Sequence, residues 1–304
     1  MDSDTQTIEL PEEPPARQYL LDAQDLHVEL SGHHILKRIN LKIPRGETLA
    51  LIGESGCGKT VLMKTLIGLV RPTRGIVRFD GQDIAAMKPA EAVNFRKKIG
   101  FVFQNAALFD SMTVGQNVAF PLRQHNVVDA DQVEPLVLRA LGEVGLPDDI
   151  VRRRPAQLSG GMRKRVGIAR ALILQPDLVL YDEPTTGLDP IVSDVINELM
   201  LGVRRKYPVT SIIVTHDMNT ARKVADRVIM LYPRRRLKDH ESQVLFDGPP
   251  TSLENFEDRR VRQFVRGEAG ERLMEMRQQS EELDEQLEHE RFENEDDDES
   301  PLDQ

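Results

Sequence analysis

The 304-residue chain, 39% hydrophobic and 30% charged, can bury a full core as one large domain or one domain with subdomains. No run reaches the roughly 18 apolar residues of a spanning helix, and the acidic opening MDSDTQTIELPEEPPARQ lacks the basic and apolar regions of a secretory signal. A lone cysteine, Cys57, excludes an intramolecular disulfide and fits a reducing cytosol.

The net charge of −10 is unevenly spread. From Glu268 onward 16 acidic residues face 3 arginines, a net of −13, which leaves +3 on residues 1–267. The basic clusters RRRP at 152–155 and RRRLK at 234–238 read as solvated faces. The sharper alternative is a surface turned toward anionic lipid headgroups or nucleotide.

Residues 1–18 read as a flexible lead. LLDAQDLHVEL and HHILKRINLKIP alternate as strands do, with a turn at Gly32. ETLALI is a short buried strand that runs into the glycine-rich GESGCGKT and then an apolar helix, KTVLMKTLIGLV. GIVRFDGQDI predicts a strand and a turn, with Gly81 after Asp80. Helical patterns cover Pro89–Lys98 and Asp131–Val144. LVLYDEP, SIIVTHD and DRVIMLYP are β-rich runs separated by helices, which predicts an α/β core with a largely parallel sheet. Past Phe256, EDRRVRQFVRG predicts a short amphipathic helix, and Leu273, Met276, Leu283 and Leu287 form a weak heptad. The final ENEDDDESPLDQ has the composition of disorder.

GESGCGKT, Gly53–Thr60, fits the phosphate-loop pattern in the required context, after a strand and before a helix. Gly53, Glu54, Ser55, Gly56, Cys57 and Gly58 would turn backbone N–H groups inward around phosphates. Lys59 would reach the β- and γ-phosphates, and the Thr60 hydroxyl would ligate Mg²⁺. Cys57 reads as a small filler of that loop. LVLYDE ends an apolar strand on two carboxylates, which places Asp182 to hold Mg²⁺ and Glu183 to act as general base. His216, ending IIVTH, could hydrogen-bond the γ-phosphate or the attacking water. Gln104, in FVFQN, could ligate Mg²⁺ through its side-chain oxygen. LSGGM adds a second anion-binding helix start at Ser159, Gly160 and Gly161, leading into a basic amphipathic helix.

These motifs, in this order and joined by TTGLDP, resemble the nucleotide-binding subunits of ATP-binding-cassette (ABC) transporters over roughly residues 20–250. The resemblance implies an ABC-type P-loop NTPase: a RecA-like parallel sheet, an antiparallel β subdomain and a helical signature subdomain. A C-terminal helical and acidic extension would follow. The expected division is a lead at 1–18, the ATPase domain at 19–250 with its helical subdomain at about 105–165, and the extension at 251–304. The resemblance makes Gly53–Thr60 the Walker A loop, Asp182 the end of Walker B and Glu183 the catalytic carboxylate. It makes Asp189 part of the D-loop and His216 the switch histidine. ATP and Mg²⁺ are the implied cofactors. Two copies would close head to tail, with Ser159, Gly160 and Gly161 capping the partner's ATP.

The sequence departs from the family at two places. Met162 stands where the signature usually has Gln, and Leu30 stands where an aromatic usually stacks on adenine. The base is therefore expected on Leu30 or Val28, or contacted from elsewhere. FVFQNAALFDSMTVGQNVAFPLRQH, LSGGMRKRVGIARAL and RRVRQFVRG look like the ATPase of MCE-type (Mla) phospholipid transporters. That likeness implies membrane permease subunits and an MCE-domain substrate-binding protein as partners, and no nucleic acid. It implies a peripheral location on the cytoplasmic face of the inner membrane. The alternatives are an importer ATPase for amino acids or another small solute, and a non-transport ABC protein.

Overall fold

The computed structural model describes residues 19–269. The lead, the weak heptad and the acidic end lie outside the described residues. The chain divides into two compact units, residues 1–253 and 254–304.

In the first unit, β1 (Tyr19–Leu30) and β2 (His33–Pro44) alternate buried and exposed side chains and pair antiparallel. Ser31 and Gly32 join them with φ of 51° and 77°, the left-handed turn that suits the twist of a tight hairpin. β1 also pairs with β4 (Arg74–Phe79), which turns through Asp80 and Gly81 into β5 (Gln82–Asp83). The resulting antiparallel sheet has the order β2-β1-β4-β5.

The second sheet joins β3 (Thr48–Ile52), β6 (Ile99–Val102), β7 (Leu178–Asp182), β8 (Thr210–Val214), β9 (Arg227–Leu231) and β10 (Val244–Gly248). Its order is β10-β9-β3-β8-β7-β6, parallel throughout except for β10. Near-continuous apolar runs such as TLALI and TSIIV are what a parallel sheet covered on both faces requires. Leu178, Leu180, Ile212 and Val214 face one core, shared with the antiparallel sheet and with α1 (Lys59–Leu66). Val179, Tyr181 and Ile213 face a second core. That core is shared with α3 (Val114–Gln124), α4 (Ala130–Glu143), α5 (Gly160–Leu172) and α6 (Pro190–Lys206). The remaining helices of this unit are α2 (Pro89–Lys97) and α7 (Met218–Val224). β3, β7 and β8 lie side by side, so their carboxyl ends carry the loops that begin at Gly53, Glu183 and Thr215 to one edge of the sheet.

The described part of the second unit contains α8 (Arg259–Arg266), capped by Asp258 and ended by Gly267 at φ 68°. Among the described residues, no helix is long and apolar enough to cross a membrane.

Candidate active site

The loop after β3 turns at once because Gly53 takes φ 138°, and a Cβ there would lie 2.2 Å from the Leu231 carbonyl oxygen. α1 then starts at Gly58 in a left-handed conformation with no side chain capping it, so its amino end stays available to an anion. Lys59 Nζ donates to the carbonyls of Gly53 at 2.7 Å and Glu54 at 2.9 Å. Cys57 is buried against Leu-rich core, and burial pushes its thiol pKa up.

An open cleft of about 750 Å³ gathers the parts expected from the sequence. Gly53, Ser55, Gly56, Gly58, Lys59, Thr60, Gln104, Asp182, Glu183 and His216 all line it. Ser159, Gly160, Gly161 and Asp189 are not among its lining residues, nor are Glu54 and Cys57 of the phosphate loop itself. Ser159 caps α5 by accepting the Met162 N–H at 3.3 Å, and a hydroxyl that accepts there keeps its own proton to donate. Asp189 caps α6, accepting the N–H groups of Ile191 and Val192 at 3.0 Å each. Beside that cap, Ile191 is 79% exposed.

Glu183 is the most constrained group in the cleft. Its carboxylate Oε2 accepts from His216 Nδ1 at 2.8 Å and from the Thr186 hydroxyl at 3.0 Å. Its N–H donates to Val214 O at 2.9 Å, and its φ of 49° is left-handed. Burial raises the pKa of neighbouring Asp182, and the Glu183 charge raises it further, against the pull of Lys64, Lys164 and Lys59.

Four basic residues beyond those expected support the site. Arg236, from a short turn after β9, donates to both carboxylate oxygens of Glu54 at 2.8 and 2.9 Å, and its side chain is only 13% exposed. Its guanidinium also lies over the Tyr232 ring. Arg234 in the same turn pairs with Asp239 and donates to Leu237 O at 2.6 Å. RRRLK is therefore not the solvated face expected at these two arginines, whereas Arg152, Arg153 and Arg154 are exposed. On α5, Arg170 donates to the carbonyls of Ala106 and Ala107 at 2.7 and 2.8 Å, fixing the turn after Gln104. Lys164 Nζ donates to Glu183 O at 3.0 Å. Burial lowers the Lys164 pKa to about 8, although Glu183 and Asp182 pull the other way. Nothing in the local sequence announces the contacts of Lys164, Arg170 and Arg236 with the loops of the cleft, since they join residues 19 to 182 positions apart.

A second cleft shares Ile35, Ser55 and Gly56 with the first and continues over Gly32, His33, His34, Pro233, Arg234, Arg235 and Leu237. Neither Leu30 nor Val28 lines it, and Val28 is fully buried. The hairpin turns Val28 into the core, leaves Leu30 exposed outside this lining and carries the histidines beside the phosphate loop.

Residues 36–186 match the ABC transporter family. The chain is 36% identical to "Intermembrane phospholipid transport system ATP-binding protein MlaF" of Haemophilus influenzae, over 83% of this chain and 92% of that protein. This chain belongs to the ABC transporter family. As a member of it, the chain is an ATP hydrolase. It is also 40% identical to "Probable ribonucleotide transport ATP-binding protein mkl" of Mycobacterium leprae, over 81% of this chain and 69% of that protein. Its fold matches the ATP-binding cassette MJ0796, solved as a dimer in a post-hydrolysis state with ADP and Pi. The TM-score is 0.65 at 31% identity, covering 76% of this chain and 98% of the cassette.

Proposed function

We propose that this chain is the ATPase subunit of a phospholipid transporter, in which two copies close head to tail on ATP and drive a separate membrane permease. One observation carries the proposal: the cleft collects the phosphate loop, both carboxylates and His216, while Ser159–Gly161 stand outside its lining. A signature outside its own cleft serves the cleft of a second copy. Leu188 and Val192 lie against Gly160 and Gly161, and the exposed Ile191 next to Val192 gives that face an apolar contact.

In this reading the phosphate-loop amides and Lys59 hold the β- and γ-phosphates. Glu183 takes the proton of the attacking water, and its bond to His216 Nδ1–H fixes the direction of the carboxylate. The P–O bond to the leaving ADP breaks as the bond to water oxygen forms. Asp182 fits a cation, since burial and the adjacent Glu183 disfavour its charge unless a positive partner balances it. Thr60, Gln104 and Asp182 would hold Mg²⁺, which neutralises charge on the phosphate oxygens when bound. His33, His34 and Arg235 offer flat polar surfaces to the base in place of an aromatic at Leu30.

The near-complete span of the match to MlaF supports phospholipid as cargo. On that reading this chain works at the cytoplasmic face of the inner membrane, with permease subunits and an MCE-domain substrate-binding protein as partners. The half-exposed groove of Phe101, Phe103, Phe109 and Phe120, rimmed by Arg170, suits a permease helix.

Glu183→Gln tests the chemistry. Turnover should fall by about 10²–10⁴ while ATP binding persists, and size-exclusion chromatography with light scattering should show a dimer in ATP. Wild-type turnover would remove Glu183 from its role. Cargo is tested in vesicles holding the chain and the permease that co-purifies with it. ATP-driven movement of a labelled phospholipid is expected, and movement of a labelled ribonucleotide instead would overturn the lipid reading.

A further inference from the structure

Glu183 adopts a conformation that its sequence disfavours. A left-handed φ is costly for a residue with a Cβ, and Pro184 next to it restricts the backbone further. Such a conformation persists where the surroundings over-determine it. The Glu183 N–H is fixed on Val214 O, and its carbonyl accepts from Thr186 N at 3.3 Å and Lys164 Nζ at 3.0 Å. Lys164 is 5% exposed, and its ammonium reaches a main-chain carbonyl although two carboxylates lie close enough to act on its charge. Burying an ammonium is expensive, and a charge-assisted bond to a carbonyl is correspondingly strong. Lys164 stands four positions after Gly160, on the helix that Ser159 caps. The same helix therefore presents the signature at its start and grips its own subunit's Glu183 one turn later.

We propose that Lys164 is a positioning residue that holds the Glu183 main chain, and so aims its carboxylate, within the subunit that carries both. Each signature helix then sets its own hydrolytic group while its Ser159 end serves the partner's nucleotide. The second half of this statement rests on the head-to-tail reading above; the first half does not.

Full-length Lys164→Met should lower kcat tenfold or more while KM and the affinity for a fluorescent ATP analogue stay within twofold. Lys164→Arg, which keeps a charged donor, should recover most of that loss. Wild-type kcat in Lys164→Met, or an arginine variant no better than methionine, would overturn the proposal. Mixed dimers separate positioning from damage to the signature helix, and they also serve if Lys164→Met homodimers fold poorly. With Ser159→Arg in one copy, the surviving site uses the Glu183 of that same copy. Lys164→Met placed in that copy should lower the remaining turnover tenfold or more, and placed in the other copy it should cost less than twofold. The reverse pattern would mean that Lys164 supports the signature in trans, and would sink the proposal. The Ser159→Arg/wild-type control should keep about half of wild-type turnover. Its complete inactivity would count against two separable composite sites and leave the lysine to be judged on the homodimer kinetics.

Discussion

Glu54 puts a carboxylate in the very loop that must hold phosphates, and Arg236 answers it from 182 positions away with two hydrogen bonds. With side chains 13% and 20% exposed, the pair is shielded enough for its loss to be felt. Arg236→Met should leave the Glu54 charge uncompensated beside the incoming phosphates. We expect ATP affinity to fall by about 1–3 kcal/mol, on the scale of a partly buried charge deprived of its partner. Glu54→Gln in the same chain should restore most of it, because the repulsive charge is then gone. Nucleotide titrations of the two single variants and the double variant check this, and additive losses would show that the two side chains act independently. The limits of sequence reading at this scale are visible in the same pair. GESGCGKT spells out the phosphate loop because its chemistry is local and periodic. The role of Arg236 depends on a turn after β9 that only the sheet order brings alongside, so RRRLK reads as surface.

The helix α5 illustrates the same limit for an element. As a sequence, GGMRKRVGIARAL is a basic amphipathic helix with an anion-binding start at Ser159, and both the helix and that start are legible there. Its cations are engaged internally instead. Arg163 donates to Leu158 O, Lys164 to Glu183 O, Arg165 to Gly145 O and Arg170 to the turn after Gln104. Each bond ends on a main-chain carbonyl, a partner with no side-chain signature to read. The helix also packs closely against α6, where a Cβ on Gly161 would lie 2.6 Å from Val192 Cγ1. Gly161→Ala should therefore cost about 1–3 kcal/mol of stability through overpacking and lower turnover by shifting the signature. Val192→Ala removes the opposing methyl and should recover much of the melting temperature. If thermal melts show no such recovery, the contact with α6 is not what constrains this glycine.

For the whole molecule, the strands were legible because parallel strands covered on both faces must be continuous apolar runs. Their order was not, since β3 takes β8 and β9 as neighbours through pairings far apart in sequence. That order is what places Lys59, Asp182, Glu183 and His216 in one cleft, with Ser159 outside its lining. If nucleotide forms part of the contact between two copies, stability must depend on both ATP and protein concentration. Glu183→Gln, which prevents turnover, is the form to measure. A ligand at 100 times its Kd that binds only the folded state adds about 2.7 kcal/mol, so ATP should raise the melting temperature even in dilute protein. In ATP the melting temperature should climb further as protein concentration rises, because dimer formation draws on the folded state by mass action. Without nucleotide it should be independent of protein concentration. Adding Ser159→Arg should preserve the first rise and abolish the second, since each copy still binds ATP but its signature can no longer close on the partner's. A concentration dependence that survives in that double variant would mean that the copies associate through another surface, and Ser159 would lose its place at the interface.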